Sequence, residues 1–341
     1  MTAQRAYLLA ATSLTPVHPG AGRTVGVVDL PIIRDSRGYP YVPGSEVKGA
    51  LKSLIARKLA ARELARIDDK GAVDCTAKEG INICCLMGRE REGEAGEGSS
   101  ALSFINMQLV ALPAPSPTRG LVYITTQSLL ANLADYLEVF GDTKAAEGLR
   151  KAAEEPKSSG GPVASFKPEK GNEVWVGFTR LKVASTEIAG KAASTLSGYF
   201  TFGGLPSTIG LTDSLLIVPE SMGASLLNKF LLVHTRVRLD RTTKTVSRGA
   251  LWTEEYIPYG AILAGLVIDT EFRNAFCGSG TANALEDLAE LLKKAELLNE
   301  DDTFYLVVGG KETVGGGLLK LKLWRSPQGA AGREAARSEG A

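Results

Sequence analysis

An α+β fold with a mainly antiparallel sheet is predicted by three features of the sequence. Strand-like and helix-like stretches are interleaved, several strand candidates form hairpins, and apolar stripes at helical spacing lie between them. The hairpins set this against a doubly wound parallel sheet. With 341 residues, 44% apolar and 23% charged, the chain is globular in composition, long enough for two ordinary domains or one elaborated one. Net charge is +1, so any nucleic-acid role must rest on local patches rather than a bulk field. No apolar run reaches the roughly 18 to 20 residues a bilayer requires. The start "RAYLLAATSLTPV" reads as a first strand rather than a secretory signal. Four cysteines (Cys75, Cys84, Cys85, Cys277) lack a second CxxC or a nearby histidine, so they read as buried small apolar side chains, not zinc ligands. The expectation is a soluble cytoplasmic protein in a reducing compartment.

In order along the chain, a strand over Tyr7 to Leu14 is followed by a Pro/Gly-rich loop and the extended segment "VVDLPIIRD". Pro31 argues against a central paired strand there. The stretch "YPYVPGSEVKGALKSLIARKLAARELAR" then enters a helix. Val47, Leu51, Leu54, Ile55 and Leu59 form its apolar stripe, Ser45 is the expected N-cap, and Glu46 suits the first turn. From Ser45 to Arg66 six Lys or Arg (Lys48, Lys52, Arg57, Lys58, Arg62, Arg66) face two acids, Glu46 and Glu63. "GREREGEAGEGSS" (88–100) reads as a mobile charged loop. "ALSFINMQLVALPA" and "GLVYITTQSLL" read as strands, and "LLANLADYLEVFGDTKAAEGLRKAAEE" as a helix broken at Gly141. The composition of 156–172 predicts a linker or flexible loop. Strands follow at "VWVGFTRLKVAS" and "SLLIVP", and residues 228–258 alternate as a long hairpin turning at "DRTT". A helix with Leu285, Leu288, Leu292 and Ala295 in register precedes two strands joined by "GGKETVGGG"; the tail 326–341 has little to order it.

Three constellations carry chemistry. The glycine loop resembles a phosphate loop only in part: Lys311 follows Gly310, but Glu312 and then a strand come next, where a nucleotide triphosphatase needs Ser or Thr and a helix. Gly315, Gly316 and Gly317 permit close approach to phosphates or another subunit, or simply make a tight turn. In "HTRVRLDRTTKTVSR" five basic residues face one acid, and alternation puts Arg236, Arg238 and Lys244 on one exposed face. With Lys48 and Lys52 they suit a phosphate backbone followed without base reading, although such runs are usually solvated faces. Finally His18, one of two histidines, lies in a loop before Asp29, a lone carboxylate in "VGVVDLPII"; Glu254, Glu255 and Tyr256 form a second acidic point. Asp29 is either a turn residue or a functional group on a short rigid segment.

The segments "VGVVDLPIIRDSRGYPYVPGSEVKGALK", "ALSFINMQLVALP", "RLDRTTKTVSRGALWTEEYIP" and "GGKETVGGGLLKL" occur in the order seen in the RAMP superfamily, over roughly residues 5 to 325. Within it the chain most resembles backbone subunits of the Cmr (type III-B CRISPR) effector. The resemblance implies a single elaborated domain over 1–325: a ferredoxin-like (RRM-type) core with insertions and a β-hairpin thumb. It implies copies stacked head to tail along a CRISPR guide RNA, beside other Cmr subunits, with target RNA cut at regular intervals by a divalent metal, Mg or Mn. The essential aspartate maps to Asp29, which would also bind the metal; the helper residues map to His18, Glu254 and Tyr256. Ser45, Lys48 and Lys52 would then seat guide phosphates at the helix N-terminus. A non-catalytic scaffold, a Csm-type (III-A) backbone subunit, a precursor-processing nuclease and an unrelated small-molecule enzyme are the competing readings.

Overall fold

The computed structural model describes residues 5–23, 26–69, 71–76, 78–89, 99–168, 171–278 and 283–325, with the side chains of 248 and 249 excepted. Most of the expected loop 88–100, and all of the expected tail 326–341, lie outside them.

Strand β1 (Ala6–Ser13) leads through a long loop to β2 (Tyr41–Val42) and helix α1 (Gly44–Ala60). Helix α2 (Glu79–Met87) precedes β3 (Leu102–Phe104), β4 (Met107–Ser116) and β5 (Gly120–Thr126). Then come α3 (Gln127–Phe140), α4 (Thr143–Ser158), β6 (Val163–Ala164), the short hairpin β7 (Glu173–Val176) with β8 (Thr179–Lys182), and β9 (Ala184–Ser185). Helices α5 (Glu187–Phe200) and α6 (Leu205–Ile209), strand β10 (Leu215–Val218) and helix α7 (Glu220–Leu227) bring the chain to the long hairpin, β11 (Leu232–Leu239) with β12 (Val246–Tyr256). Strand β13 (Ile262–Asp269), α8 (Ala284–Lys294), β14 (Thr303–Val307) and β15 (Leu318–Arg325) complete it.

Among the described residues eleven strands join one sheet in the order β14-β15-β1-β13-β4-β5-β10-β6-β9, with β2 on β4 and β3 on β13. The pairs β5–β10 and β6–β9 are parallel and the others antiparallel, so the sheet is mixed. Apolar side chains on both faces of β1 explain its unbroken burial. Tyr7, Leu9 and Ala11 face a core shared with α1, α2 and α8; Leu8 and Ala10 face one shared with α3, α4 and α5. A central strand covered on both sides reads as a continuous apolar run, and β1 does.

Four expectations need correction. The opening helix starts at Gly44 with Pro43 as its N-cap, so Ser45 lies in the first turn and caps nothing. The cause is steric: a Cβ on Gly44 would lie 2.0 Å from the Phe104 carbonyl oxygen, so only glycine permits this approach, fixed by the Gly44 N–H donating to Asn106 Oδ1 at 2.9 Å. The helix ends at Ala60, which leaves Arg62 and Arg66 off it. The linker expected at 156–172 instead contains the end of α4 and strand β6, with Val163, Ala164 and Phe166 buried. Lastly, the cysteines are paired rather than free: Cys75 with Cys84, and Cys85 with Cys277. The adjacent Cys84 and Cys85 clamp α2 to two different loops, one 9 and the other 192 residues away in sequence. The break at Gly141 is as expected: it ends α3 at φ +103°, and Asp142 caps α4.

Candidate nucleic-acid interface and catalytic site

Hydrogen bonds of the segment before α1 bring the candidate residues together. Leu30 forms a parallel bridge with Glu254, so the stretch carrying Asp29 lies along the free edge of β12. Val17 bridges Ile257, and His18 bridges Gly310 of the glycine loop. Three separated pieces of chain, the first loop, the hairpin base and the glycine loop, therefore meet at one end of β12.

Glu254 is the centre of that meeting and is 1% exposed. Its Oε1 accepts from Lys311 Nζ at 2.6 Å and from Trp252 Nε1 at 2.7 Å; its Oε2 accepts from the Tyr256 hydroxyl at 2.5 Å and from Arg236 Nε at 3.2 Å. Burial pushes its carboxyl up, but the Lys311, Tyr256 and Trp252 bonds outweigh it and hold the pKa at about 2. Tyr256 is itself buried, between the rings of His18 and His234 at 5.3 and 4.9 Å; burial and the bond to Glu254 raise its pKa. His18 Nδ1 is 2.6 Å from the Glu255 carbonyl oxygen. A carbonyl only accepts, so Nδ1 carries the proton and Nε2 is the nitrogen left to act. Glu255 points the other way, to Arg34 at 2.5 Å and to the Ile32 N–H.

Asp29 differs in exposure and in the kind of partner that holds it. It is exposed, and Oδ2 accepts from the Thr253 N–H at 2.8 Å and from the Thr253 hydroxyl at 2.9 Å. The Asp29 N–H donates back to that hydroxyl at 3.0 Å. The Thr253 backbone N–H, then its hydroxyl, lower the Asp29 pKa, with Arg23 adding to the effect. Asp29 is thus an ionised carboxylate fixed by neutral donors, with Oδ1 outside those bonds. Its link to the Glu254 cluster runs through Thr253, the residue before Glu254.

The described residues contain no group of three or more His, Cys, Asp or Glu able to hold a metal ion. Asp29 supplies one carboxylate, while both oxygens of Glu254 are engaged. Mg²⁺ commonly binds through one or two carboxylates plus substrate phosphates and waters. The donor set suits an ion shared with a substrate phosphate, not a protein cage.

The expected phosphate contacts fall into two groups. Near α1, Ser45 is exposed, Lys48 is half-buried and donates to Ser100 Oγ at 2.9 Å, and Lys52 is buried at 6% exposure. Burial, with Lys52 adding to it, lowers the Lys48 pKa. Ser45 and Lys48, but not Lys52, line a cleft of about 490 Å³ together with Gly44, Ser100, Ser103 and Thr270 among others. On the hairpin, Arg236 turns inward to Glu254, while Arg238, at the register shift between Val237 and Leu239, and Lys244, beyond it, are exposed. The alternation expected to align all three therefore fails at that irregularity. The α1 group is tied to the glycine loop and through it to the first loop: Glu46 of α1 accepts from the Gly309 N–H, and the Gly310 N–H donates to the His18 carbonyl at 2.9 Å.

The glycine loop turns back over three glycines with different tasks. A Cβ on Gly317 would sit 2.0 Å from the Val308 carbonyl oxygen, and one on Gly316 3.2 Å from that of Lys311, so the chain's own backbone accounts for both. Gly315, at φ +86°, faces open space. Sequence reasoning missed the part of Lys311, dismissed with the triphosphatase motif, and those of Thr253 and Trp252. Alternation offered a signal for Trp252, two residues from Glu254 on the same strand face.

No helix among the described residues is long and apolar enough to cross a membrane. The chain is 26% identical over 320 residues to the CRISPR system Cmr endoribonuclease Cmr4 of Pyrococcus furiosus, covering 94% of this chain and 96% of that protein. A cryo-EM structure of the type III-B Cmr-beta complex bound to cognate target RNA contains a chain of like fold, with a TM-score of 0.65 at 21% identity over 93% of this chain and 96% of that one. The crystal structure of oligomeric Cmr4 from Pyrococcus furiosus matches with a TM-score of 0.60 at 19% identity, covering 95% and 99%. The model of the RAMP superfamily matches residues 10–320, and the chain belongs to that superfamily.

Proposed function

We propose that this chain is a backbone subunit of a type III-B CRISPR effector, which binds guide RNA in head-to-tail copies and cuts paired target RNA at regular intervals. The names of the relatives support the assembly, and the oligomeric homologue supports self-association. In this reading the sheet contains a ferredoxin-like core, the β11–β12 hairpin is the thumb, and other Cmr subunits are partners of the array. Contacts that do not close on themselves build a filament.

One observation carries the catalytic part: an exposed, ionised aspartate fixed at the base of an extended hairpin beside a cationic cluster. RNA cleavage by internal transfer needs the 2′-hydroxyl deprotonated and held in line with the leaving 5′-oxygen. Asp29 orients this hydroxyl, and its lowered pKa makes it a weak proton acceptor. A bound Mg²⁺ or Mn²⁺ would polarise a phosphoryl oxygen, and Asp29 is the residue that would hold it. His18, through Nε2, is placed to bind the phosphate or protonate the leaving oxygen. Glu254 and Tyr256 hold the hairpin base in place. Ser45, Lys48, Arg238 and Lys244 are the proposed guide contacts. Lys52, being buried, would add charge rather than touch, and Gly315, Gly316 and Gly317, whose N–H groups already donate to protein carbonyls, would give the guide room for close approach. The test is a reconstituted complex carrying Asp29→Ala: target binding persists and cutting stops. Cutting at unchanged sites and rate would remove the catalytic assignment.

The engagement of both Glu254 oxygens favours a second reading, a non-catalytic RNA scaffold. Loss of regular cuts in every Asp29 variant rules that reading out.

A further inference from the structure

We propose that Lys311 is a phosphate-binding residue on the RNA path, and that Glu254 serves as its fixed counter-charge rather than as a proton-transfer group. The inference rests on the RNA-binding reading and adds a residue to it.

Three observations lead there. The first is charge. One buried carboxylate needs one cation, yet Glu254 holds two, Lys311 from the glycine loop and Arg236 from the hairpin. The group as a whole carries one positive charge in excess, at a surface where both cations reach solvent: their side chains are 30% and 40% exposed. The second is how donors are spent. Arg236 commits two of its five N–H groups, one on Nε to Glu254 and one on Nη2 to the Tyr256 hydroxyl, so its guanidinium is held in the buried network by two bonds. Lys311 gives one of its three ammonium N–H groups to Glu254. It therefore keeps donors for an anion at the exposed side while Glu254 fixes where they point.

The third is the backbone. Lys311 sits at φ +71°, a left-handed conformation that residues with a Cβ adopt rarely. The loop is closed around it: its carbonyl accepts from the Gly316 and Val314 N–H groups, and the Gly317 N–H donates to the Pro16 carbonyl. Next to it, Gly310 is bonded to His18, so the ammonium is tied to the segment that presents the proposed catalytic residues. A lysine needed only to neutralise Glu254 would have no use for this placement, since Arg236 already provides that neutralisation.

The experiment measures affinity of the purified full-length chain for a labelled oligouridine across a salt series. The proteins are wild type, Lys311→Ala, Lys311→Arg, the double variant Lys311→Ala/Glu254→Gln, and Lys48→Ala. Lys311→Ala should weaken binding about tenfold, as loss of a charged hydrogen bond does. It should also flatten the slope of log affinity against log salt by about 0.7, one phosphate contact on a single strand. Lys311→Arg should keep most of the slope, and the double variant should bind no better than Lys311→Ala. A purely structural ion pair predicts otherwise: an unchanged slope in every Lys311 variant, with affinity restored in the double variant once the stranded carboxylate is gone. Either result overturns the proposal. A flattened slope in Lys48→Ala with none in Lys311→Ala sinks this inference and leaves RNA binding intact. Salt-independent binding by wild type sinks the RNA reading itself, and the inference with it.

Discussion

Asp29 and Glu254 are both ionised carboxylates at the base of the same hairpin, one to either side of Thr253, yet they are held in opposite ways. Asp29 is exposed and kept ionised by neutral N–H and O–H donors of a single threonine. Glu254 is buried and kept ionised by two cations, an indole and a phenol drawn from the hairpin and the glycine loop. Neutral donors leave a carboxylate its full negative charge to offer to a metal or a hydroxyl. Cationic partners cancel that charge and turn the carboxylate into a structural joint. The difference assigns chemistry to the first and architecture to the second, although the two look equally acidic in sequence.

The largest effect that breaks this contrast is Glu254→Ala. It strands Lys311 and Arg236 and removes the acceptors of Trp252 and Tyr256. Because both cations can rehydrate, the cost is about 2 kcal/mol rather than the larger penalty of a fully buried pair, read from urea unfolding. Asp29→Asn should barely move the same curve, since the carboxamide oxygen still accepts from Thr253.

Acid unfolding sharpens the contrast next. A depressed folded pKa contributes stability that is complete above the unfolded value and lost as pH falls through the folded one. For Glu254 that window runs from about 4.5 down to about 2. Wild type should lose stability more steeply over that range than Glu254→Gln; parallel curves would mean the buried network is not formed. Tyr256→Phe comes third. It removes one donor to Glu254 while leaving both cations, and should cost about 1 kcal/mol in the same unfolding assay. The smallest effect is Thr253→Val, which deletes the hydroxyl but keeps the backbone N–H. The Asp29 pKa should rise towards its ordinary value, and carboxyl NMR titration of wild type and variant would follow it.

Much of this was legible in sequence because local rules and burial agreed. A continuous apolar run placed β1, helical periodicity placed α1 and α8, and Gly141 marked the break between α3 and α4. Alternation over 228–258 gave the hairpin found at Leu232–Tyr256. Asp29, His18, Glu254 and Tyr256 stood out in the chain itself, but their roles came from resemblance, and their chain neighbours alone left Asp29 open to a turn role. Other features could not be read locally. The Cys85–Cys277 bridge joins residues 192 apart, a pairing that depends on tertiary approach. Pro43 rather than Ser45 caps α1 because the Phe104 backbone presses on Gly44 from another element. Lys311 reaches Glu254 across 57 residues, and a failed nucleotide motif concealed it. Lys52 sits at a basic, helical position that looks exposed in one dimension, yet packing buries it.

The most direct test compares Asp29→Asn and Glu254→Gln in the same reconstituted complex, at saturating target RNA, by mapping cut positions and single-turnover cleavage rates. The account predicts that Asp29→Asn abolishes the regularly spaced cuts while RNA stays bound, and that Glu254→Gln slows them without moving them. Cutting by Asp29→Asn at the wild-type rate, with cleavage abolished only in Glu254→Gln, would contradict it.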